Sequence, residues 1–200
     1  MNKVSVGVAL LFFVLSFSPC ALGQQGTDSG KKTDTTVNQG KGEAERVQGD
    51  KHYYGREAAQ SFEEARKWYL KGAEQGNAAA QSMLGFLYYY GQGVSQDYKK
   101  AAEWHRKAAA QGNAASQGML GLSHYFGEGA SQDYTKAAEW FRKAAAQEDA
   151  LSLGMLGVMH EKGKGVPRDY KKAAEWYRKA VAQGNDSVQP FLDRVLKKIK

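Results

Sequence analysis

A repeat of 36 residues constrains the fold of this chain more than any other feature of its sequence. Aligning the chain at Ser61, Asp97, Asp133 and Asp169 gives four segments that match without gaps. Their first halves read FEEARKWYLKGAEQG, YKKAAEWHRKAAAQG, YTKAAEWFRKAAAQE and YKKAAEWYRKAVAQG. A fixed period of this length is typical of a solenoid, in which each unit buries its apolar face only by stacking on its neighbours.

The first half of each unit has the pattern of an amphipathic helix. At 100° per residue its apolar and small positions fall within one arc of about 160°, and its charged positions occupy the opposite arc. The aspartates at 97, 133 and 169 stand directly before this pattern, where N-caps belong. Ser61 and Glu64 have the spacing of a capping box. Glycines suited to a left-handed helix end follow the pattern at Gly76, Gly112 and Gly184.

The second half of each unit predicts another helix, which carries the motif Met-Leu-Gly. A glycine within a helix costs about 1 kcal/mol relative to alanine. Its recurrence at Gly85, Gly121 and Gly157 therefore predicts a close approach of a neighbouring helix that a side chain would block. A Gly-x-Gly turn then closes the unit and leads to the next N-cap.

These patterns divide the chain into consecutive segments. A degenerate half-repeat at 43–60, with a helix from about Glu43 to Tyr54, precedes three full units at 61–96, 97–132 and 133–168. Residues 169–200 form a partial repeat whose second helix has an apolar stripe and a charged outer face. Such a helix is suited to cap the end of a solenoid.

The repeated motifs resemble those of the Sel1-like repeat, a relative of the tetratricopeptide repeat. The resemblance rests on Trp-aromatic-Arg-Lys-Ala-Ala-x-Gln-Gly-Asn, Met-Leu-Gly and Gly-x-Gly-Val-x-x-Asp-Tyr, and it is strong over 61–184 and weak at both ends. It implies an all-α fold, an α/α superhelical solenoid of helix pairs. It also implies a scaffold or adaptor that binds protein through its concave face, and bacterial members are often exported.

The amino terminus predicts export. Lys3 precedes an apolar run at 4–17, which is shorter than the roughly 20 residues that span a bilayer. Ala21-Leu22-Gly23 completes a signal peptide at 1–23, with cleavage after Gly23 into the periplasm or the medium. An uncleaved anchor and lipidation at Cys20 are the alternatives, although Pro19 is a poor match to a lipoprotein signal. The polar segment 24–42 predicts a flexible leader, and no membrane segment remains after cleavage.

The residue inventory argues against an enzyme. Cys20 is the only cysteine, which excludes a disulfide framework, an iron–sulfur cluster and a multi-cysteine zinc site. The sequence contains no HExxH motif, no phosphate loop and no nucleophile elbow. We therefore predict no catalytic residue, no metal and no cofactor.

Three histidines share one repeat position, at 52, 124 and 160, but do not predict a metal site. Neighbouring helices lie about 10 Å apart, whereas zinc binds nitrogen at about 2.1 Å, so histidines one unit apart cannot easily share an ion. We interpret these histidines, and His105 in the first helix of its unit, as structural rings.

The candidate binding surface combines charged first-helix residues with aromatic residues. The chain has 28 Lys and Arg against 21 Asp and Glu, and the excess lies towards the carboxyl end. Glu103→Lys107, Glu139→Lys143 and Glu175→Lys179 have the spacing of helical ion pairs. We expect a groove formed by the first helices, with Tyr89 and Tyr125 at its margin unless these two rings pack between units. The predicted surface is Glu103, Arg106, Lys107, Glu139, Arg142, Lys143, Glu175, Arg178, Tyr89 and Tyr125.

Together these features predict an exported, non-catalytic scaffold or adaptor that acts as a monomer and binds another protein, not nucleic acid. Two alternatives remain open. One is a periplasmic antidote that occludes a secreted antibacterial toxin. The other is an enzyme or inhibitor acting on cell-wall metabolism.

Overall fold

The computed structural model describes residues 40–199. The predicted signal peptide, Cys20 and most of the predicted leader lie outside the described residues. Between residues 40 and 199 the chain forms nine α-helices and no strand, with one 3₁₀ turn at Asp186–Val188. The helices are α1 (Glu43–Tyr54), α2 (Phe62–Glu74), α3 (Ala78–Tyr90), α4 (Tyr98–Ala110), α5 (Ala114–Phe126), α6 (Tyr134–Ala145), α7 (Ala150–Lys162), α8 (Tyr170–Ala182) and α9 (Gln189–Ile199).

The predicted N-caps are confirmed. Asp97 Oδ1 accepts hydrogen bonds from the backbone N–H groups of Lys99 and Lys100, both at 3.0 Å, and Asp133 caps α6 in the same way. Asp169 caps α8 by accepting from the Lys172 N–H at 3.0 Å. Ser61 Oγ accepts from the Glu64 N–H at 3.3 Å, but the Ser61 N–H donates to the His52 carbonyl oxygen at 2.9 Å and not to the Glu64 side chain, so the capping box is only half formed. The Glu64 carboxylate binds Lys67 instead, at 2.6 Å. Local side chains thus determine where the first helices begin.

Each glycine of the Met-Leu-Gly motifs, and the equivalent Gly49, lies under an aromatic ring of the following first helix. A Cβ built on Gly49, Gly85, Gly121 or Gly157 would stand 2.5 Å from a ring atom, which is closer than real contacts allow. The predicted close approach is therefore confirmed, and the neighbour is a ring. We call these contacts joints 1 to 4, and their glycine–ring pairs are Gly49–Tyr69, Gly85–His105, Gly121–Phe141 and Gly157–Tyr177.

The two sets of helices are packed through side chains of different size. Between second helices the residues are small: Ser116 Oγ donates to Ser82 Oγ at 2.9 Å, and a Cβ on Gly118 would meet Ser152 Oγ at 2.9 Å. Tryptophans pack between units on the other side, where Trp104 and Trp140 each lie against the core of the preceding unit. Second helices of neighbouring units also contact one another more extensively than first helices do. We call the side of the stack formed by the second helices its inner side, and the side formed by the first helices its outer side.

An ion pair fixes the last helix to the stack. The Glu161 side chain, only 2% exposed, accepts from Arg194 Nε and Nη2 at 2.9 and 2.8 Å and from the Tyr177 hydroxyl at 2.9 Å. Burial raises the pKa of Glu161, but these hydrogen bonds outweigh that effect and hold the pKa below its usual value. Val188, Leu192 and Val195 bury the apolar stripe of this end of the chain, so α9 covers the core as a capping helix.

Candidate protein-binding surfaces

The predicted charged residues are all exposed on α4, α6 and α8. They are Glu103, Arg106, Lys107, Glu139, Arg142, Lys143, Glu175 and Arg178. The predicted helical ion pairs between their glutamates and lysines do not form within residues 40–199, where each lysine turns to a tryptophan three residues before it. Lys107 Nζ lies 4.1 Å from the centre of the Trp104 ring, and the equivalent distances for Lys143 and Lys179 are 4.2 and 4.8 Å. The indole face attracts the ammonium group and shields part of the ring from water.

These charged residues lie on the outer side of the stack, which the first helices form. Tryptophans pack between the first helices, and small residues pack between the second helices. The groove expected along the first helices, and the role of its charged residues in binding, stay predictions.

The two predicted aromatic contacts differ in accessibility. Tyr125 is only 5% exposed and packs edge to face on Tyr134, so its assignment to an exposed surface is wrong. Tyr89 is half-buried, and its hydroxyl donates to Glu128 Oε2 at 2.7 Å. Burial, together with the Glu128 carboxylate, raises the pKa of Tyr89. Packing between units, the alternative interpretation, accounts for both rings.

All four histidines were interpreted as structural rings, and three of them make contacts that fit this role. His124 Nδ1 and His160 Nδ1 lie 3.2 and 3.3 Å from backbone carbonyl oxygens seven residues further along the chain. His105 is buried with its Nδ1 at 3.1 Å from Ser116 Oγ. His52 Nδ1 is buried and has no hydrogen-bond partner in the described part of the chain.

A different set of side chains is accessible on the inner side. Along α3, positions 79, 83, 86 and 90 form one stripe in which every residue is half-buried, whereas most of the remaining helix is buried. Phe86 and Tyr90 stack with their ring centres 6.4 Å apart, and burial raises the pKa of Tyr90 to about 12. The stripe continues onto both neighbouring helices. We call the following residues the inner apolar surface: Val47, Tyr54, Met83, Phe86, Tyr90 and Phe126.

The sequence contained only part of the signal for this surface. The sequence shows three consecutive tyrosines, Tyr88-Tyr89-Tyr90. It does not show that Tyr90 is the one on the inner side, because that depends on the neighbouring helices. Among the large apolar side chains of the described residues, that of Val47 is the exposed one, with 38% of the residue's surface accessible. It is the equivalent of Met83, Met119 and Met155 one, two and three units later. An apolar residue at this position in the half-repeat, which no described helix covers on its amino-terminal side, was the sequence signal that could have predicted this surface.

Two features that the described residues lack bear on other functions. Between residues 40 and 199, no three His, Cys, Asp or Glu side chains are grouped so that they could hold a metal ion. Over the same range, no helix has both the length and the apolar character needed to cross a membrane.

Comparison with known proteins places the repeats and the fold. The model of the Sel1 repeat matches residues 50–77, 78–113, 114–149 and 150–185. The crystal structure of a protective antigen present in uropathogenic Escherichia coli strains, displaying an SLR fold, is 33% identical with a TM-score of 0.71, and the match covers 92% of this chain and 42% of that one. A Sel1 repeat protein from Oxalobacter formigenes is 30% identical with a TM-score of 0.72, covering 81% of this chain and 65% of that one. This chain thus spans less than two thirds of the length of either relative. A comparison with curated proteins gives no significant match.

Proposed function

This chain belongs to the Sel1 repeat family, whose members are scaffolds that typically mediate protein–protein interaction, and from that premise we propose that it is an exported, non-catalytic adaptor. It binds one partner protein on the inner apolar surface. The partner contributes an apolar segment that covers the half-exposed side chains of α1, α3 and α5.

The inner apolar surface is the observation that carries this proposal. Aromatic residues and methionine are enriched at protein interfaces, where a few buried rings supply most of the binding energy. Phe86 and Tyr90 are held in place by stacking on each other, so little side-chain freedom is lost when a partner covers them. Charged side chains dominate the outer face and would have to be desolvated before an apolar partner could bind there.

Export is supported by the charged start, the short apolar run and the small residues that end at Gly23. Its test is to express the full chain with a carboxyl-terminal tag in its own host and to determine the amino terminus of the accumulated protein. A terminus at Gln24 in the extracytoplasmic fraction is expected. Cytoplasmic protein that retains residues 1–23 would overturn this part of the proposal.

Binding is tested by crosslinking the tagged protein in that fraction and comparing two variants. Val47→Arg places a charge in the exposed part of the inner apolar surface, and Ala110→Arg places the same side chain at an exposed position on the outer face. We expect a single partner that the wild type and Ala110→Arg capture equally and that Val47→Arg captures at least about tenfold less.

The outcomes separate the possible roles. An envelope complex as the partner supports the adaptor, whereas an antibacterial toxin enzyme would identify the chain as its antidote. Equal capture by both variants would exclude the inner apolar surface. Purified, folded protein that acts on cell-wall material and loses this activity through one point substitution would replace the proposal with an enzyme.

A further inference from the structure

Basic side chains are distributed unevenly over the outer face. Helices α4, α6 and α8 together carry eleven Lys and Arg against three Glu, with three capping Asp at their amino ends. The equivalent helix of the first unit, α2, carries three Lys and Arg against three Glu. The outer face is therefore neutral at its amino-terminal end and positive over the rest of the stack.

The positive part is a regular array. Its members are the exposed residues Arg106, Arg142 and Arg178, one unit apart, together with Lys107, Lys143 and Lys179 beside them. None of these six side chains makes an ion pair among residues 40–199, whereas the outer-face lysines Lys100 and Lys136 do, with the capping aspartates. We call the six the basic array. In α2 the arginine position is occupied by Leu70, so the array begins with α4.

Tryptophan lies beneath each lysine of the basic array. The rings of Trp104, Trp140 and Trp176 are half-buried, and each faces the ammonium group that follows it in the helix. Tryptophan and lysine both combine an apolar body with a polar tip, and both are favoured where an apolar phase meets water. The array thus combines positive charge with side chains suited to a lipid headgroup region.

We propose that the basic array docks the solenoid onto an anionic phospholipid surface. In this arrangement the inner apolar surface stays accessible to a partner protein, because the two surfaces lie on opposite sides of the stack. The inference goes beyond the proposed adaptor function and does not depend on it.

The geometry favours a lipid surface over an acidic protein. A carboxylate partner is recognised most specifically by guanidinium forks held in fixed positions, and no side chain within the described residues holds the three arginines. The array repeats with the period of the fold along the outer side of the stack, so its charges are spaced one unit apart instead of converging on one point. A charged bilayer requires only this, since each Lys or Arg near an anionic surface contributes through its charge.

The test is cosedimentation of the purified, tagged protein with vesicles of phosphatidylglycerol and phosphatidylcholine, in the form in which the host accumulates it. We expect binding to vesicles rich in phosphatidylglycerol, little binding to pure phosphatidylcholine, and a loss of binding when salt is raised from about 0.05 to 0.5 M. Equal binding to both lipids would overturn the proposal. All variants retain the same amino terminus, so residues 1–39 contribute equally to every measurement.

Charge reversal locates the surface. The triple variant Arg106→Glu, Arg142→Glu, Arg178→Glu is expected to bind phosphatidylglycerol vesicles at least about tenfold more weakly. Its control changes the net charge equally at three exposed lysines outside the array: Lys41→Glu, Lys67→Glu, Lys162→Glu. The control variant is expected to bind within about twofold of the wild type. Equal losses in the two variants would overturn the assignment to the array, and circular dichroism verifies that each variant is folded.

Charge-preserving substitution separates the lipid from an acidic protein. The variant Arg106→Lys, Arg142→Lys, Arg178→Lys keeps the charge and loses the guanidinium forks, so its vesicle binding is expected to match that of the wild type. Poly-glutamate serves as the soluble competitor. Binding to poly-glutamate without binding to vesicles, or loss of vesicle binding in the lysine variant, would overturn the proposal in favour of an acidic polypeptide.

Discussion

The units at 97–132 and 133–168 have nearly the same helices but differ in the chemistry of their joints. In joint 2 the ring over the glycine is His105, whose Nδ1 lies 3.1 Å from Ser116 Oγ, and Ser116 in turn donates to Ser82. In joint 3 the ring is Phe141, and Gly118 stands where the earlier unit has Ser82. Ser152, the equivalent of Ser116, is left with a buried Oγ that has no hydrogen-bond partner among the described residues.

This difference shows which part of a joint is essential. Both rings meet their glycines at 2.5 Å from the position of a built Cβ, so the helix spacing does not depend on the polar atoms. In joint 2 the hydrogen bonds that link His105, Ser116 and Ser82 additionally orient the polar ring. Joint 3 lacks these bonds and keeps only the equivalent hydroxyl, that of Ser152. Seven substitutions, grouped into four predictions, test this interpretation.

The largest effect is expected from removing the ring of joint 3. Phe141 is fully buried, and Phe141→Ala should lower the free energy of unfolding by about 3–5 kcal/mol, because it removes apolar contacts and leaves a cavity over Gly121. Urea unfolding followed by circular dichroism measures the change. His105→Ala is the matched comparison and should cost less, since the imidazole is smaller. A larger loss at joint 2 would show that its hydrogen bonds are the stronger part of the structure.

The next effect depends on pH. Burial lowers the pKa of His105 to about 3, so the folded chain keeps this ring neutral while the unfolded chain protonates it below about pH 6.5. The stability that neutral His105 contributes is complete above pH 6.5 and is lost as the pH falls towards 3, by about 1.4 kcal/mol per pH unit. His105→Phe converts joint 2 to the chemistry of joint 3 and removes this dependence. Between pH 7 and 5 the wild type should therefore lose about 2 kcal/mol more than the variant.

Parallel urea titrations of the two proteins at pH 7, 6 and 5 measure this difference. Other titratable groups are the same in both chains and cancel. If the free energy of unfolding changes with pH equally in the wild type and in His105→Phe, then His105 takes up its proton at the same pH in the folded and unfolded states. That result would conflict with the burial of this ring.

The equivalent serines should respond with opposite signs. Ser116→Ala breaks the chain between His105 and Ser82 and should lower the free energy of unfolding by about 1–2 kcal/mol, because buried polar atoms lose their partners. Ser152→Ala removes a buried hydroxyl that has no hydrogen-bond partner among the described residues. It should raise the free energy of unfolding by up to about 1 kcal/mol. Thermal unfolding of both variants provides the measurement. Losses of equal size would mean that Ser152 has a partner, such as a buried water.

The smallest effect concerns the ends of the first helices. Gly112 follows α4 with a φ of 88°, and its equivalent Glu148 is forced into the same left-handed region with a φ of 62°. Glu148→Gly should raise the free energy of unfolding by about 0.5–1 kcal/mol, because a side chain is disfavoured there. Gly112→Glu introduces the same strain into the earlier unit and should lower the free energy of unfolding by a similar amount. A destabilised Glu148→Gly would indicate that the Glu148 contact with Gln183, at 3.2 Å, outweighs the strain.

The features that depend on neighbouring residues in the chain could be predicted from the residue pattern. The capping aspartates, the left-handed glycines and the glycines under the rings recur at fixed positions, and each acts within one turn of helix or between adjacent helices. The period of 36 residues then requires stacking, because no unit can bury its apolar face alone. For this reason the helices, the solenoid and the capping role of α9 followed from the residue pattern.

Which surfaces remain open depends on contacts between units, which a residue pattern does not show. The burial of Tyr125 and the exposure of Val47 both depend on side chains contributed, or not contributed, by neighbouring helices. A helix pattern shows which arc is apolar, but the accessible part of that arc is determined by how closely the next helix packs against it.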